Sequence, residues 1–129
     1  REQALLKKAD LIVFQHPLIW YGMPSLLKEW VEAVFEAGWA HGPNGSALRG
    51  KDFWLVTSAG GNASSYQTGA YHGYPFDAFL PPFRQMAALC GMRWREPLVL
   101  FGADDAGQDE IEAHAEAYRL HLANYPAWL

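Results

Sequence analysis

Three stretches of this chain are apolar at nearly every position: Leu11–Gln15, which opens Leu-Ile-Val-Phe, Phe53–Thr57 and Pro97–Phe101. Runs this short, bounded by turn residues, read as strands covered on both faces, as in the parallel sheets of α/β proteins. Elsewhere the apolar spacing changes to three and four. Leu27, Trp30, Val31, Val34 and Phe35 would line one helix face, and Phe79, Leu80, Phe83, Ala87 and Cys90 a second within Asp77–Cys90. Ile111, Ala115, Tyr118 and Leu122 would line a third, with Glu110, Glu112, Glu116 and Arg119 turned to water and Pro126 as its stop.

The turn and cap residues agree with these elements. Pro24 suits a first helical turn, where no N–H is needed, and Gly38 a left-handed cap just past the helix end. Pro81 and Pro82 have to fall in the first turn of the second helix. Arg1–Lys8 reads as the end of a further helix with Leu5 and Leu6 facing inward. Strand and helix alternate three times, which predicts an α/β fold with a right-handed parallel sheet. Asn62–Pro75 has no period and is rich in Gly, Ser and Tyr, so it reads as a loop of the length that is usually functional or disordered.

Composition narrows the function classes. A chain of 129 residues, 50% hydrophobic and 19% charged, has room for one domain and one core. Aromatic residues, 15% of the chain, suit a core but also a site that stacks on a flat ligand or meets a second subunit. The net charge of −4, with scattered Lys and Arg, argues against sequence-independent nucleic-acid binding. Cys90 is the one cysteine, at the apolar side of a helix, and reads as an inert core thiol in a reducing cytoplasm. No run approaches the roughly 20 apolar residues that span a bilayer, so any membrane association is expected to be peripheral.

In an open parallel sheet, ligands sit outside the carboxyl ends of the strands. Pro17–Gly22, Ser58–His72 and Gly102–Gly107 occupy those positions, and the first two are the richer in chemistry. Gly60-Gly61 reads either as a tight turn or as backbone left bare for close approach to a ligand. Trp20 and Tyr21 would either stack on a ring or cap the edge of the core. Tyr66 and His72, six apart on one loop, are either surface residues or a phenol donor paired with an imidazole that changes charge near neutral pH. His16 would order the Pro17 loop, His41 belongs to a turn, and His114 and His121 would lie on a solvated helix. No Cys/His spacing suits a metal, and G-x-S-x-G, Walker and G-x-G-x-x-G patterns are absent from the sequence.

The segment His16-Pro17-Leu18-Ile19-Trp20-Tyr21-Gly22-Met23-Pro24-Ser25-Leu26-Leu27-Lys28-Glu29-Trp30, followed by a strand and Gly60-Gly61, resembles the flavodoxin-like NAD(P)H:quinone oxidoreductases. Within that group, Arg1–Leu6 with Phe14–Leu18 is most similar to the ancillary subunits of glutathione-regulated potassium-efflux systems. The resemblance implies a three-layer αβα flavodoxin-like fold, FMN or FAD as cofactor, and hydride passing from NAD(P)H through the flavin to a quinone. It implies that Pro17, Leu18, Ile19, Trp20 and Tyr21 line the edge and face of the flavin ring. Ser58, Gly60 and Gly61 would meet its pyrimidine side, and Tyr66 and His72 would be the catalytic pair. Tyr66 would donate to the negative charge that builds on the ring, and His72 would take up that charge or supply a proton.

Ser58-Ala59 departs from the paired threonines common in the family, which removes a hydroxyl contact. The family's strand order, 2-1-3-4-5, implies that residues 1–129 are the C-terminal part of one domain. Its first strands and phosphate loop would then lie outside the chain, leaving Leu11–Phe14 as an exposed apolar edge. Further implied are a homodimer whose aromatic residues close each other's site and a cytoplasmic location, peripheral at the inner membrane. Two other readings stand beside the enzyme: a regulatory subunit bound to a potassium-efflux membrane protein, with flavin structural or absent, and a one-electron carrier. The long Tyr66–His72 loop fits a substrate-admitting enzyme better than a carrier.

Overall fold

The computed structural model describes residues 1–128. Helix α1 (Glu2–Lys8) leads into strand β1 (Leu11–Pro17) and helix α2 (Ser25–Val34); strand β2 (Asp52–Ser58) is followed by helix α3 (Pro81–Leu89). Two short strands, β3 (Arg93–Trp94) and β4 (Leu98–Leu100), precede helix α4 (Gln108–Asn124). Every strand pairing is parallel: β1 runs along β2 from Leu11↔Asp52 to Pro17↔Ser58, while β3 and β4 both lie on the other edge of β2. The expected third strand, Pro97–Phe101, is present as the shorter β4, and β3 is an additional strand that the apolar pattern did not mark. Pro97 has no N–H to give to the ladder, and β4 starts just after it; between β3 and β4 the Glu96 carbonyl accepts from Trp54 Nε1 at 3.0 Å.

Central placement makes β2 apolar on both faces. Phe53 and Leu55 face a core shared with Ile12 and Phe14 of β1 and with Val34, Phe35, Phe83 and Ala87 from the helical side. On the opposite face Trp54 packs against Tyr118 at 5.4 Å and His121 at 5.2 Å. The layers are thus α1–α3, sheet, and α4.

Several expectations need correction. Leu6 packs on the core, but Leu5 is 55% exposed. The inner face of α4 is His114, Tyr118 and His121, while Ile111, Ala115 and Leu122 point outward. The two stripes share Tyr118 and differ by a rotation of roughly 60° about the helix axis. Periodicity alone does not separate them; the aromatic surface of Trp54 selects the histidine side. The expected helix over Asp77–Cys90 is divided into a 3₁₀ turn, Phe76–Phe79, and α3, with Pro81 and Pro82 at its first positions. The apolar edge of β1 is covered on its core face, where Ile12 and Phe14 are 5% and 3% exposed, but β1 pairs with β2 alone and Leu11 and Val13 stay part-exposed. The side chains of α1 and α2 flank a groove of about 660 Å³ along it.

Cys90 is buried, and burial pushes its thiol up, as an inert core position requires. His16 behaves as expected too. Its Nδ1 lies 2.9 Å from the Pro17 carbonyl and its ring stacks on Phe83 at 5.6 Å. Burial lowers its pKa despite that hydrogen bond.

Candidate functional site

The carboxyl ends of β1, β2 and β4 open into a cleft of about 750 Å³. Leu18, Trp20 and Tyr21 come to it from β1, Gly60 and Gly61 from β2, and Phe101, Gly102, Asp104 and Asp105 from β4. Tyr66 and His72 reach it from the long loop.

The β1 side is a tight two-residue hairpin rather than an open loop. Ile19 and Gly22 exchange N–H···O bonds of 2.9 and 3.0 Å, with Trp20 at φ 46° and Tyr21 at φ 64° between them. Two successive left-handed residues make a type I′ turn, normally the place of Asn-Gly. For non-glycine residues such backbone costs on the order of 1–3 kcal/mol each and persists only where its surroundings hold it. Tyr21 is held: its ring stacks on Phe79 at 4.9 Å and its hydroxyl lies 3.1 Å from His72 Nδ1. Trp20 is 91% exposed at the rim.

The loop after β2 is ordered by its own polar groups. Asn62 Oδ1 accepts from Ser65 N at 3.0 Å and Ser64 Oγ at 2.9 Å, capping a 3₁₀ turn at Ala63–Ser65. That turn carries Tyr66 inward, where it is only 6% exposed, between Phe76 at 5.4 Å and Phe101 at 5.8 Å. The imidazole of His72 lies flat on Tyr66, centroids 4.3 Å apart and planes within 8°. Burial pushes the Tyr66 phenol above its ordinary range, partly opposed by a backbone hydrogen bond at Gly61 and reinforced by Tyr21 and Asp104. Tyr66 is therefore a neutral hydroxyl at working pH, able to donate.

Both glycines are closely packed. A Cβ on Gly60 would stand 2.6 Å from Asp104 Oδ2, and one on Gly61 would stand 2.7 Å from His72 Nε2 and from Ser65 Oγ. Gly102 N donates to the Gly61 carbonyl at 2.8 Å and Ala103 N to that of Ala59 at 2.9 Å, which binds the β2 and β4 loops together.

Seven of the residues singled out from the sequence thus meet in one cleft: Leu18, Trp20, Tyr21, Gly60, Gly61, Tyr66 and His72. Pro17 and Ser58 instead line a neighbouring cavity of about 330 Å³ beside His114, and Ile19 is spent on the hairpin bridge. Sequence reasoning did not single out Asn62, Ser65, Phe101 or the acidic residues Asp104, Asp105 and Glu110. The position of Gly102–Gly107 after a strand was the available signal for Asp104 and Asp105. Nothing local marked the others.

Comparison with known proteins gives a consistent neighbourhood. Residues 1–122 match a family described as having a flavodoxin-like fold. The glutathione-regulated potassium-efflux system ancillary protein KefG of Escherichia coli O6:K15:H31 is 43% identical over 124 residues, covering 96% of this chain and 68% of that protein. Among solved structures, an NADPH-quinone reductase from P. pentosaceus is 31% identical with a TM-score of 0.86, covering 95% of this chain and 73% of its own. General stress protein 14 from Treponema denticola, in complex with FMN, is 34% identical with a TM-score of 0.87, covering 95% and 70%. A chain described as a thermophilic tryptophan halogenase from Streptomycin violaceusniger is 42% identical with a TM-score of 0.89, covering 94% and 70%.

Proposed function

The chain belongs to the flavodoxin-like fold family, and from that premise we propose that it is a flavin-dependent NAD(P)H:quinone oxidoreductase whose ring site is the cleft between Tyr21, Gly61 and His72. A shared fold does not fix a reaction, so the proposal rests on the site. The observation that carries it is the convergence of a buried, neutral Tyr66, the His72 stacked on it and the Gly60–Gly61 backbone in one cleft beyond the sheet's carboxyl ends. Similarity to an NADPH-quinone reductase and to an FMN-holding protein supports it.

The lining fits a planar ring system. About 750 Å³ is within the range of small-molecule sites, and Leu18, Trp20 and Phe101 offer flat or apolar contact. FMN, with FAD as the alternative, would supply the hydride-carrying chemistry between NAD(P)H and quinone. The chain's own residues supply placement and protons. The Gly60–Gly61 backbone, packed by Asp104, Ser65 and His72, would border a ring edge, the Tyr66 hydroxyl donates where negative charge gathers, and His72 holds or gives a proton. The cleft lining contains Asp104, Asp105 and Glu110 but neither Lys nor Arg. A flavin phosphate therefore has to be met by residues outside the cleft. The exposed rings of Trp20, Tyr71 and Tyr74 suit closure by a second copy of the chain.

Replacing Tyr66 by Phe or His72 by Ala should lower quinone turnover by about 10²–10⁴-fold, the usual cost of one proton-transfer group, with flavin retained. Turnover unchanged in both variants would remove the pair from the mechanism. The likeness to KefG favours a second role, as an ancillary subunit seated at a membrane potassium-efflux protein. No described helix is long and apolar enough to cross a membrane, so such seating would be peripheral.

A further inference from the structure

We infer that Tyr21 is a positioning residue: its hydroxyl donates to His72 Nδ1 and fixes the imidazole as the Nε2–H tautomer, with that N–H at the Gly61 wall of the cleft. The kinetic consequence rests on the oxidoreductase reading above; the tautomer does not.

The Tyr21 ring is already accounted for by packing, stacked on Phe79 at 4.9 Å and edge-on to the imidazole at 5.6 Å. A phenylalanine would make both contacts. The hydroxyl adds one thing, the 3.1 Å approach to His72 Nδ1.

Either partner of a Tyr–His pair can donate. A bare imidazole nitrogen is a strong acceptor, whereas the phenol oxygen shares its lone pairs with its ring and accepts weakly. Phenol O–H to nitrogen is therefore the stronger arrangement, and it places the imidazole proton on Nε2. The remaining neighbours of the imidazole do not oppose this. Tyr66 lies flat against it at 4.3 Å and Tyr71 edge-on at 4.9 Å. Nε2 stands where a Cβ on Gly61 would come within 2.7 Å, so its N–H borders the backbone proposed to receive the ring.

The hairpin gives the arrangement a mechanical basis. Tyr21 holds φ 64° in a turn closed by the Ile19–Gly22 pair. The hydroxyl thus links a rigid turn on β1 to the loop that carries His72, across 51 residues of sequence.

The test is imidazole ¹⁵N NMR on the full-length protein, flavin-free and with added FMN, with His72 assigned by its loss in His72→Gln. The wild-type protein should show His72 as the Nε2–H form, and Tyr21→Phe should shift it toward a tautomer mixture. In steady-state assays the same variant should lower kcat roughly three- to tenfold, the scale of one hydrogen bond, with KM for the nicotinamide unchanged. A wild-type Nδ1–H form, a Tyr21→Phe spectrum identical to wild type, or an altered tautomer with unchanged kcat would overturn the inference. If the tautomer shifts as expected in a protein that takes up no FMN and reduces no quinone, the oxidoreductase reading fails and the Tyr21 assignment survives.

Discussion

A Cβ on Gly61 would stand 2.7 Å from both His72 Nε2 and Ser65 Oγ, and neither atom is free to retreat. His72 is sandwiched against Tyr66 and tied to Tyr21, while Ser65 Oγ donates to the Asn62 carbonyl at 2.6 Å. Gly61→Ala should therefore displace the imidazole and cut quinone turnover at least tenfold, a barrier change of about 1.4 kcal/mol. Gly107→Ala, where an added Cβ meets nothing, should stay within twofold; equal turnover in the two variants, measured side by side, would contradict the packing argument. At this scale the sequence was informative about identity and weak about environment. Gly60-Gly61, Tyr66 and His72 are visible as residues, but both the bare-backbone and tight-turn readings of the glycines missed the side chains pressing on them. The burial of Tyr66 depends on Phe76 and Phe101, one of them 35 residues away, and no local pattern reports that.

At the scale of elements, the strands and helices follow apolar periodicity, and the departures have specific causes. The third strand starts only after Pro97, which cannot donate to the ladder. Helix α4 turns its histidine stripe inward to meet Trp54. The Trp20–Tyr21 hairpin leaves no mark in the sequence because it lacks the Asn-Gly chemistry that announces a type I′ turn. A further feature with no sequence signature ties the opposite end of the sheet together. Fully buried Asp52, opening β2, accepts from Arg93 Nε at 3.0 Å, from Arg95 Nε at 2.8 Å and from the Tyr125 hydroxyl beyond α4.

Burial alone would raise the Asp52 pKa, but hydrogen bonds from Tyr125, Arg95 and Arg93 together with the Arg95 charge hold it below its ordinary 3.8. A depressed carboxyl pKa stabilises the fold fully above the unfolded value, and that contribution is lost as pH falls through the folded one. Tyr125 mirrors it: burial and Asp52 push it up to about 12, so its contribution holds below its ordinary 10.0 and fades as pH rises through 12. The urea midpoint should accordingly drop on acidification below about pH 4. Asp52→Asn should be less stable at neutral pH and show a shallower acid limb; an acid limb as steep as that of wild type would show that other carboxylates carry the transition.

For the whole molecule, parallel pairing throughout and helices on both faces place the cleft where such sheets bind ligands. The family was legible from the His16–Trp30 segment, because that segment forms the end of β1, the hairpin and the start of α2 in one continuous piece. What the sequence left open was how the loops after β1 and β2 meet. The Tyr21–His72 contact settles that in the structure, and the acidic lining of the cleft came only with the fold. Whether this cleft holds a flavin ring and passes hydride between a nicotinamide and a quinone is read from NAD(P)H oxidation by the full-length protein supplied with FMN, followed with and without quinone alongside the flavin absorbance spectrum. The protein should be yellow, and its NAD(P)H oxidation should depend on added quinone. A protein that stays colourless with excess FMN, or a yellow one that leaves NAD(P)H untouched in the presence of quinone, would contradict the oxidoreductase reading.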